Sequence, residues 1–153
     1  FYLGAYSATN LAAFFAIIAI SRHTGSDQID DLAGMGRRSP VLAFVLALAM
    51  VSLIGIPPTA VFVGKLYIFA AAVKADLVWL AAIGVVNSVI SAYYYLRVVK
   101  VMYLQPSPSQ EPVRSSEVFQ VALAITAVAV LVLGILPGPV LDAAQNAART
   151  LLP

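Results

Sequence analysis

The sequence predicts an all-α membrane protein, a polytopic bundle of four transmembrane crossings of which the second is discontinuous. Hydrophobic residues make up 61% of the 153 positions and charged residues only 10%. A soluble protein carries about 45–50% apolar and about 25% charged residues, so this chain has too little polar surface to face water on all sides. The apolar residues form four long stretches, and the longest contains a proline pair.

Three of the four stretches are ordinary candidates for membrane-spanning helices. They are residues 1–20, 77–96 and 118–136. About 20 apolar residues, rising 1.5 Å each, cross the roughly 30 Å hydrocarbon core of a bilayer. The last of them, residues 118–136, closes at Pro137-Gly138-Pro139, where a helix cannot continue. Each of the three therefore predicts one crossing.

The second stretch, residues 40–73, is too long for one unbroken crossing. At helical rise it would measure about 50 Å. A break is expected near residues 56–58, because Pro57 and Pro58 lack amide hydrogens and the first restrains Ile56 away from the helical region. Two interpretations follow: two halves of one discontinuous crossing, or two short crossings joined by a tight turn.

The distribution of basic residues favours the first interpretation. One crossing would place six Lys and Arg residues on one side of the membrane and two on the other, whereas two crossings would split them five to three. Basic residues collect on the cytoplasmic side, so residues 21–39 and 97–117 are expected there, with both ends of the chain outside. The six are Arg22, Arg37, Arg38, Arg97, Lys100 and Arg114, and the two are Lys74 and Arg149.

The composition excludes several kinds of chemistry. The chain has no cysteine, which rules out disulfides, thiolate zinc sites and Cys-ligated iron–sulfur clusters. One His and seven scattered carboxylates form no pattern of metal ligands, so we expect no metal in this chain. The net charge of +2 fits basic residues at membrane flanks, and nucleic acid is not expected as a partner.

Lys65 is the strongest candidate for a functional residue, because apolar neighbours flank it on both sides. A lysine at bilayer depth costs a few kcal/mol, and such residues usually handle ions or protons. The alternative is snorkelling, in which the flexible stem carries the amine to the headgroups. Lys74 already marks the membrane edge about 13 Å along the helix, further than a stem of about 6 Å can climb. We therefore interpret Lys65 as an interior group that transfers protons.

The helix break at Pro57-Pro58 points to the same region. An interrupted helix frees backbone carbonyls and amides, which are tolerated at membrane depth only inside protein or beside a wet cavity. The alternative is a kink that serves packing alone. A buried cation next to a broken helix is more informative than either feature by itself.

Uncharged polar residues in the first and third stretches are candidates for a polar path. Asn10 lies in the first, and Asn87 and Ser91 lie in the third, with Thr9 and Ser88 as polar neighbours. Most intramembrane residues of this kind simply hydrogen-bond to a neighbouring helix, and that alternative stays open.

Three motifs together give the chain a family resemblance. They are Asp30-Asp-Leu-Ala-Gly-Met-Gly-Arg-Arg-Ser-Pro40, then Ser52-Leu-Ile-Gly-Ile-Pro-Pro-Thr59 running into Phe62-Val-Gly-Lys-Leu-Tyr67, then Asn87-Ser-Val-Ile-Ser-Ala-Tyr-Tyr-Tyr-Leu-Arg97. In this order the chain resembles the subunit N family of bacterial NADH–quinone oxidoreductase, respiratory complex I, whose members are antiporter-like membrane subunits. The resemblance covers essentially the whole chain.

The resemblance implies a C-terminal fragment, the last four of fourteen helices, in an antiporter-like subunit. It implies that residues 40–73 form the family's discontinuous helix and that Lys65 is its functional lysine, at the outlet end of a buried chain of ionisable groups. It further implies proton translocation coupled to electron transfer from NADH to quinone, in the bacterial inner membrane. The partners would be the other membrane subunits and the bilayer. NADH, flavin, iron–sulfur clusters and quinone would be held in or between other subunits, with no cofactor in this chain.

Two competing functions remain. The same architecture occurs in Mrp-type cation/proton antiporters and in membrane-bound hydrogenases, which would make the chain a component of one of these. A purely structural membrane piece is the third possibility, and in that case Lys65 should tolerate Met or Gln.

Overall fold

A computed structural model describes residues 1–107, 109, 111–113 and 115–151, and the side chains up to residue 148 within those ranges. Arg114, and the side chain of Arg149, which both entered the charge count, lie outside this description. All regular structure in the described residues is helical, as the sequence predicts. The helices are α1 (Tyr2–Thr24), a 3₁₀ turn (Ile29–Leu32), α2 (Met35–Arg38), α3 (Pro40–Ile54), α4 (Ala60–Lys74), α5 (Val78–Leu104), α6 (Glu117–Ile135) and α7 (Gly138–Leu151).

Within the described part of the chain, α1, α5 and α6 are long and apolar enough to cross a membrane, and α3 is a shorter apolar helix. Two of them continue past the ends of the predicted spans. α1 runs to Thr24 and α5 to Leu104, because no helix breaker occurs before Gly25 or Pro106. A helix does not need to end where the hydrocarbon core ends, so apolar length underestimates helix length.

The apolar stretch 40–73 is divided into α3 and α4 by residues 55–59. Pro40 occupies the first turn of α3, where its missing amide costs nothing. Gly55 follows the last residue of α3 with φ of 91°, a left-handed conformation that favours glycine, and its amide bonds back to the carbonyls of Val51 and Ser52. The helix therefore ends at Ile54, and α4 begins only after both prolines.

The core forms where α1, α3 and α6 meet, with α5 packed on α3. Small side chains dominate the contact surface of α1. Lipid tails are as apolar as leucine, so helices in a membrane associate through close backbone approach rather than through hydrophobic exclusion from water. The buried alanines of this surface are Ala12, Ala13, Ala16 and Ala19 of α1, with Ala43 and Ala49 of α3 facing them in the same cluster.

The outer surface of the bundle carries large apolar side chains. α5 is the clearest case, because only Ala81, Val101 and Met102 are buried along its length. A surface of this kind is unfavourable in water and is typical of a protein that is covered by lipid or by neighbouring membrane subunits. Its exposed members include Trp79, Ile83, Val86, Val89, Ile90 and Tyr93.

Candidate functional site

The amine of Lys65 is bonded at the interruption between α3 and α4. Its Nζ donates to the carbonyl oxygens of Leu53 at 3.1 Å and Ile54 at 2.8 Å, and to the hydroxyl oxygen of Ser88 on α5 at 3.0 Å. A lysine ammonium has three N–H donors, so all three are used. The side chain therefore turns toward the break rather than along α4 toward Lys74.

The two carbonyls are free because of the proline pair. In a continuous helix the carbonyls of Leu53 and Ile54 would accept from the amides four residues later, which are the positions of Pro57 and Pro58. Neither proline has an amide hydrogen. Within the described residues no backbone amide donates to either carbonyl, because the amides of Gly55 and Ile56 bond to Val51 and Ser52 instead. The break thus supplies two oxygens that need a donor.

The end of α3 also favours a positive charge. The last carbonyls of a helix carry its negative dipole end, which stabilises a nearby cation. Gly55 keeps the approach open, since a Cβ at this position would lie 2.9 Å from Cδ of Lys65. Glycine is consequently required here both for its left-handed backbone and for the space that the lysine stem occupies.

α6 holds the break from the other side. A Cβ on Gly134 would lie 2.0 Å from the carbonyl oxygen of Pro58 and 2.6 Å from the carbonyl carbon of Thr59. Only a residue without a side chain permits this backbone approach. The hydroxyl of Thr59 donates to the carbonyl of Ile56 at 2.6 Å. This hydrogen bond closes a turn within the interruption, just before α4 begins.

Ser88 connects Lys65 to α5. Its hydroxyl accepts from the lysine and donates to the carbonyl of Gly84 at 2.9 Å. Ser91 in turn donates from its hydroxyl to the carbonyl of Ser88 at 2.8 Å. Because the single hydroxyl proton of Ser88 is used on Gly84, its oxygen is oriented to accept from the ammonium.

Lys65 and Ser88 lie between two clefts. The first has a volume of about 370 Å³ and is lined on α5 by Asn87 and Ser91 and by several tyrosines. The second has a volume of about 290 Å³ and has mostly apolar walls, including Phe62, Leu66 and Val89. The tyrosines of the first cleft are Tyr2, Tyr6, Tyr94 and Tyr95.

The structure brings together only part of the predicted polar set. Asn87 and Ser91 line the first cleft with Lys65. Asn10 does not line it and instead donates to the carbonyl of Tyr6 in its own helix at 2.8 Å. Thr9 is fully buried and hydrogen-bonds to Ser52 at 3.1 Å, which joins α1 to α3.

Ser88 is the residue that sequence reasoning underrated. It was one of several polar residues in the third stretch, and nothing local distinguished it from Asn87. A signal existed in the spacing, because Gly84, Ser88 and Ser91 recur at intervals of four and three and therefore share one helix face. In the part of the chain that the structure describes, no group of three or more His, Cys, Asp or Glu residues could hold a metal ion.

These observations define a class of protein: a helical membrane protein in which a partly buried lysine amine is bonded at a helix break. Comparison with known proteins narrows the class. The family model described as "NADH:quinone oxidoreductase/Mrp antiporter, TM" matches residues 1–91, more than half of the chain. The chain belongs to this family of membrane proteins.

Several relatives are similar over nearly the whole chain. NADH-quinone oxidoreductase subunit N of Dehalococcoides mccartyi is 45% identical over 152 residues, which are 99% of this chain and 31% of that protein. The subunit N of Geobacter metallireducens is 46% identical over 150 residues, 97% of this chain and 32% of that protein. The chain thus spans about a third of the length of the relatives it matches.

A solved structure has the same fold. A chain of respiratory complex I from Thermus thermophilus, solved with bound aureothin, superposes with a TM-score of 0.78 at 32% identity. The match covers 92% of this chain and 33% of that one. The resemblance to subunit N of complex I that the sequence motifs indicate is confirmed by these comparisons.

Proposed function

We propose that this chain is part of a proton-translocating membrane subunit of an NADH:quinone oxidoreductase, and that Lys65 is the group in it that binds and releases the transported proton. Electron transfer from NADH to quinone takes place in other subunits, which hold the flavin, iron–sulfur clusters and quinone. The released free energy reaches this subunit as a change in electrostatics and hydration around Lys65. The names of the relatives and of the solved complex support this assignment.

One observation carries the proposal: the ammonium of Lys65 has three acceptors, two of which exist only because the helix is broken. A cation at membrane depth is expensive unless the protein solvates it, even where its side chain is only half-buried, as that of Lys65 is. Carbonyls and a hydroxyl are neutral acceptors, so they stabilise the protonated amine without locking it in an ion pair. This arrangement suits a group that must both take up and give up a proton.

For the topology, we infer four crossings, with α3 and α4 as the two halves of a single discontinuous crossing. α3 and α4 have 15 residues each, short for independent spans of a roughly 30 Å core. Residues 21–39 and 97–117 then face the cytoplasm of a bacterial cell across its plasma membrane. Neighbouring membrane subunits of the complex and lipid cover the apolar outer surface of α5.

For the polar path, we infer that protons reach Lys65 through the cleft lined by Asn87 and Ser91. These two side chains and the tyrosines are the polar groups beside the amine, whereas the second cleft is mostly apolar. A row of waters along the polar wall is a better proton conductor than an apolar wall, which favours dewetting. Asn10 does not line this cleft, and it remains a predicted member of the path.

The test is to replace Lys65 in the assembled complex, reconstituted in liposomes. Lys65→Ala removes the proton carrier and should lower both NADH-driven proton pumping and quinone reduction at least about a hundredfold, the lower end of what a positioned acid–base group contributes. Lys65→Arg keeps the positive charge but should also lose proton pumping, because a guanidinium does not release its proton. Both rates are measured, with a fluorescent ΔpH probe and by NADH absorbance.

Lys74→Ala is the matched control. Lys74 lies on the same helix, is exposed, and has no hydrogen bond or ion pair within the described residues. The complex with Lys74→Ala should pump protons at the wild-type rate. Normal proton stoichiometry in Lys65→Ala would refute the proposal, and so would a loss of equal size in Lys74→Ala.

The family description also names Mrp antiporters, so a cation/proton antiporter component is the second candidate. Proton movement driven by an imposed cation gradient, without NADH, would favour it. The relatives are NADH-quinone oxidoreductase subunits, which favours the oxidoreductase.

A further inference from the structure

A second basic site lies at the opposite end of α3 from the break, beside Arg37 and Arg38. These residues form the end of the short helix α2, immediately before α3 begins at Pro40. They line a cleft of about 440 Å³ together with Tyr103, Ser107 and Ser109, near the end of α5. Among the described residues that line this cleft there is no carboxylate side chain.

The cleft is built by specific contacts rather than by a loose loop. Nε of Arg38 donates to the carbonyl of Glu111 at 2.9 Å, and the amide of Val113 donates to the carbonyl of Arg38 at 3.3 Å. Gly34 lies so close to Ser107 that a Cβ would meet that residue's backbone at 2.7 to 2.8 Å. These contacts hold the described residues Ser107, Glu111 and Val113 beside α2 and its first neighbour Gly34.

Arg37 has donors that the protein does not use. Its side chain is exposed and makes no hydrogen bond or ion pair within the described residues. Arginine presents a planar fork of donors that matches the oxygens of a phosphate, and a second arginine, Arg38, lines the same space. The shared chemistry of the cleft is therefore that of a phosphate or phosphodiester anion.

The position of the cleft identifies the source of that phosphate. It lies at the membrane end of α3, because Arg37 and Arg38 stand directly before α3 begins at Pro40, where the predicted span also begins. Helix ends of this kind lie at the level of lipid headgroups. Basic clefts between membrane helices on the cytoplasmic side bind anionic headgroups, and the adjacent apolar side chains can contact acyl chains.

We propose that this cleft binds the phosphodiester of an anionic phospholipid, with Arg37 as the main contact and Arg38 as the residue that both contacts the headgroup and holds the cleft wall. The acyl chains of the lipid would pack along the apolar outer surface of α3, where Val41 is exposed. This site is separate from Lys65; it rests on the proposed topology, which places this end of α3 on the cytoplasmic side, and not on the role of Lys65.

The test counts lipids that stay bound to the membrane subunit containing this chain, released from the assembled complex in native mass spectrometry. Complexes are titrated with phosphatidylglycerol, with phosphatidylcholine, and with phosphatidylglycerol in the presence of inorganic phosphate. The variant is Arg37→Gln, chosen because the Arg37 side chain makes no hydrogen bond or ion pair with any other described residue. Lys100→Gln is the control, since it removes a charge from the same end of α5 outside the cleft.

Wild type and Lys100→Gln should each retain one phosphatidylglycerol, and Arg37→Gln should bind it several-fold to tenfold more weakly. Arg37→Lys should have an intermediate affinity, because it keeps the positive charge but loses the planar fork of guanidinium donors. Phosphatidylcholine should not replace it, and inorganic phosphate should not displace it. Equal retention in Arg37→Gln and wild type overturns the site. If Lys100→Gln loses as much phosphatidylglycerol as Arg37→Gln does, diffuse surface charge rather than the cleft binds the lipid. If inorganic phosphate displaces the phosphatidylglycerol, the cleft is a site for free phosphate and not for a lipid. Assembly of each variant complex, checked by its intact mass, shows that the subunit has folded.

Discussion

Lys65 and Arg37 both lie beside the end of a helix, yet their surroundings differ. Lys65 sits at the interruption between α3 and α4, and the protein supplies an acceptor for each of its three N–H groups. Arg37 sits beyond the other end of α3, exposed, with a cleft in front of it and no internal partner in the described structure. The two ends of α3 thus differ. At one end, the protein provides hydrogen-bond acceptors for Lys65, and at the other it provides none for Arg37 among the described residues.

The difference follows from where water and counterions are available. At membrane depth nothing outside the protein can solvate an ammonium, so the fold must provide every acceptor or the charge is lost. At the headgroup level, water and lipid phosphates are abundant, so a guanidinium can remain unpaired within the protein and bind from outside. Three substitutions, in addition to those of Lys65 and Arg37, sharpen this contrast, taken from the largest expected effect to the smallest.

Replacing both prolines of the break by alanine should have the largest effect. Pro57→Ala with Pro58→Ala supplies the two amides whose absence leaves the carbonyls of Leu53 and Ile54 free, so these amides compete with Lys65. A hydrogen bond to a charged group is worth about 1.5–3 kcal/mol. Proton pumping by the reconstituted complex should fall roughly tenfold to a hundredfold.

The control for the prolines is Pro40→Ala, at the other end of α3, where proline occupies the first turn and its missing amide has no partner in any case. It should pump normally. If hydrogen exchange shows the two new amides to be protected while pumping stays at the wild-type rate, the free carbonyls are not what sustains the charge on Lys65.

Removing one acceptor should have an intermediate effect. Ser88→Ala leaves the ammonium of Lys65 with two of its three partners, which should slow pumping about tenfold, because one charge-assisted hydrogen bond is lost. Ser88→Thr keeps the hydroxyl and should restore most of the rate. A Ser88→Ala complex that pumps like wild type would mean that water replaces the hydroxyl at no cost.

A buried neutral hydrogen bond should matter least. Thr9→Val removes the link between the Thr9 hydroxyl and Ser52, a contact in the same bundle with no charge involved. Hydrogen bonds between membrane helices average about 0.6 kcal/mol. Thermal unfolding should shift slightly, and pumping per assembled complex should not change. A loss of pumping comparable to that of Ser88→Ala would remove the distinction between charged and neutral sites.

Much of the fold was predictable because its signals are local. Apolar length identifies the candidate spans, and Pro57-Pro58 locates the interruption that the structure places at residues 55–59. Lys65 is conspicuous because a charge in an apolar run is rare. α1 and α5 extend beyond the predicted spans because the apolar pattern follows the hydrocarbon core, whereas a helix ends at a residue that cannot continue it.

The candidate site was predictable only in part, because its members come from different helices. Asn10, Asn87 and Ser91 were equivalent as polar residues in apolar stretches, but only Asn87 and Ser91 lie beside Lys65. Ser88 became the direct partner through the rotation of α5 about its axis. Gly134 was one glycine among nine until the packing of α6 brought it against Pro58.

The sequence by itself determined that the chain is helical, that it is suited to a membrane, that a helix stops before two prolines, and that one lysine follows this stop in an apolar segment. These properties depend on neighbours within a few residues, through amide hydrogens, backbone angles and side-chain hydropathy. The tertiary structure decided that the two unused carbonyls turn toward that lysine and that a hydroxyl from α5 completes its partners. Distances between helices depend on how all of their surfaces pack at once, and no single stretch of sequence contains that information.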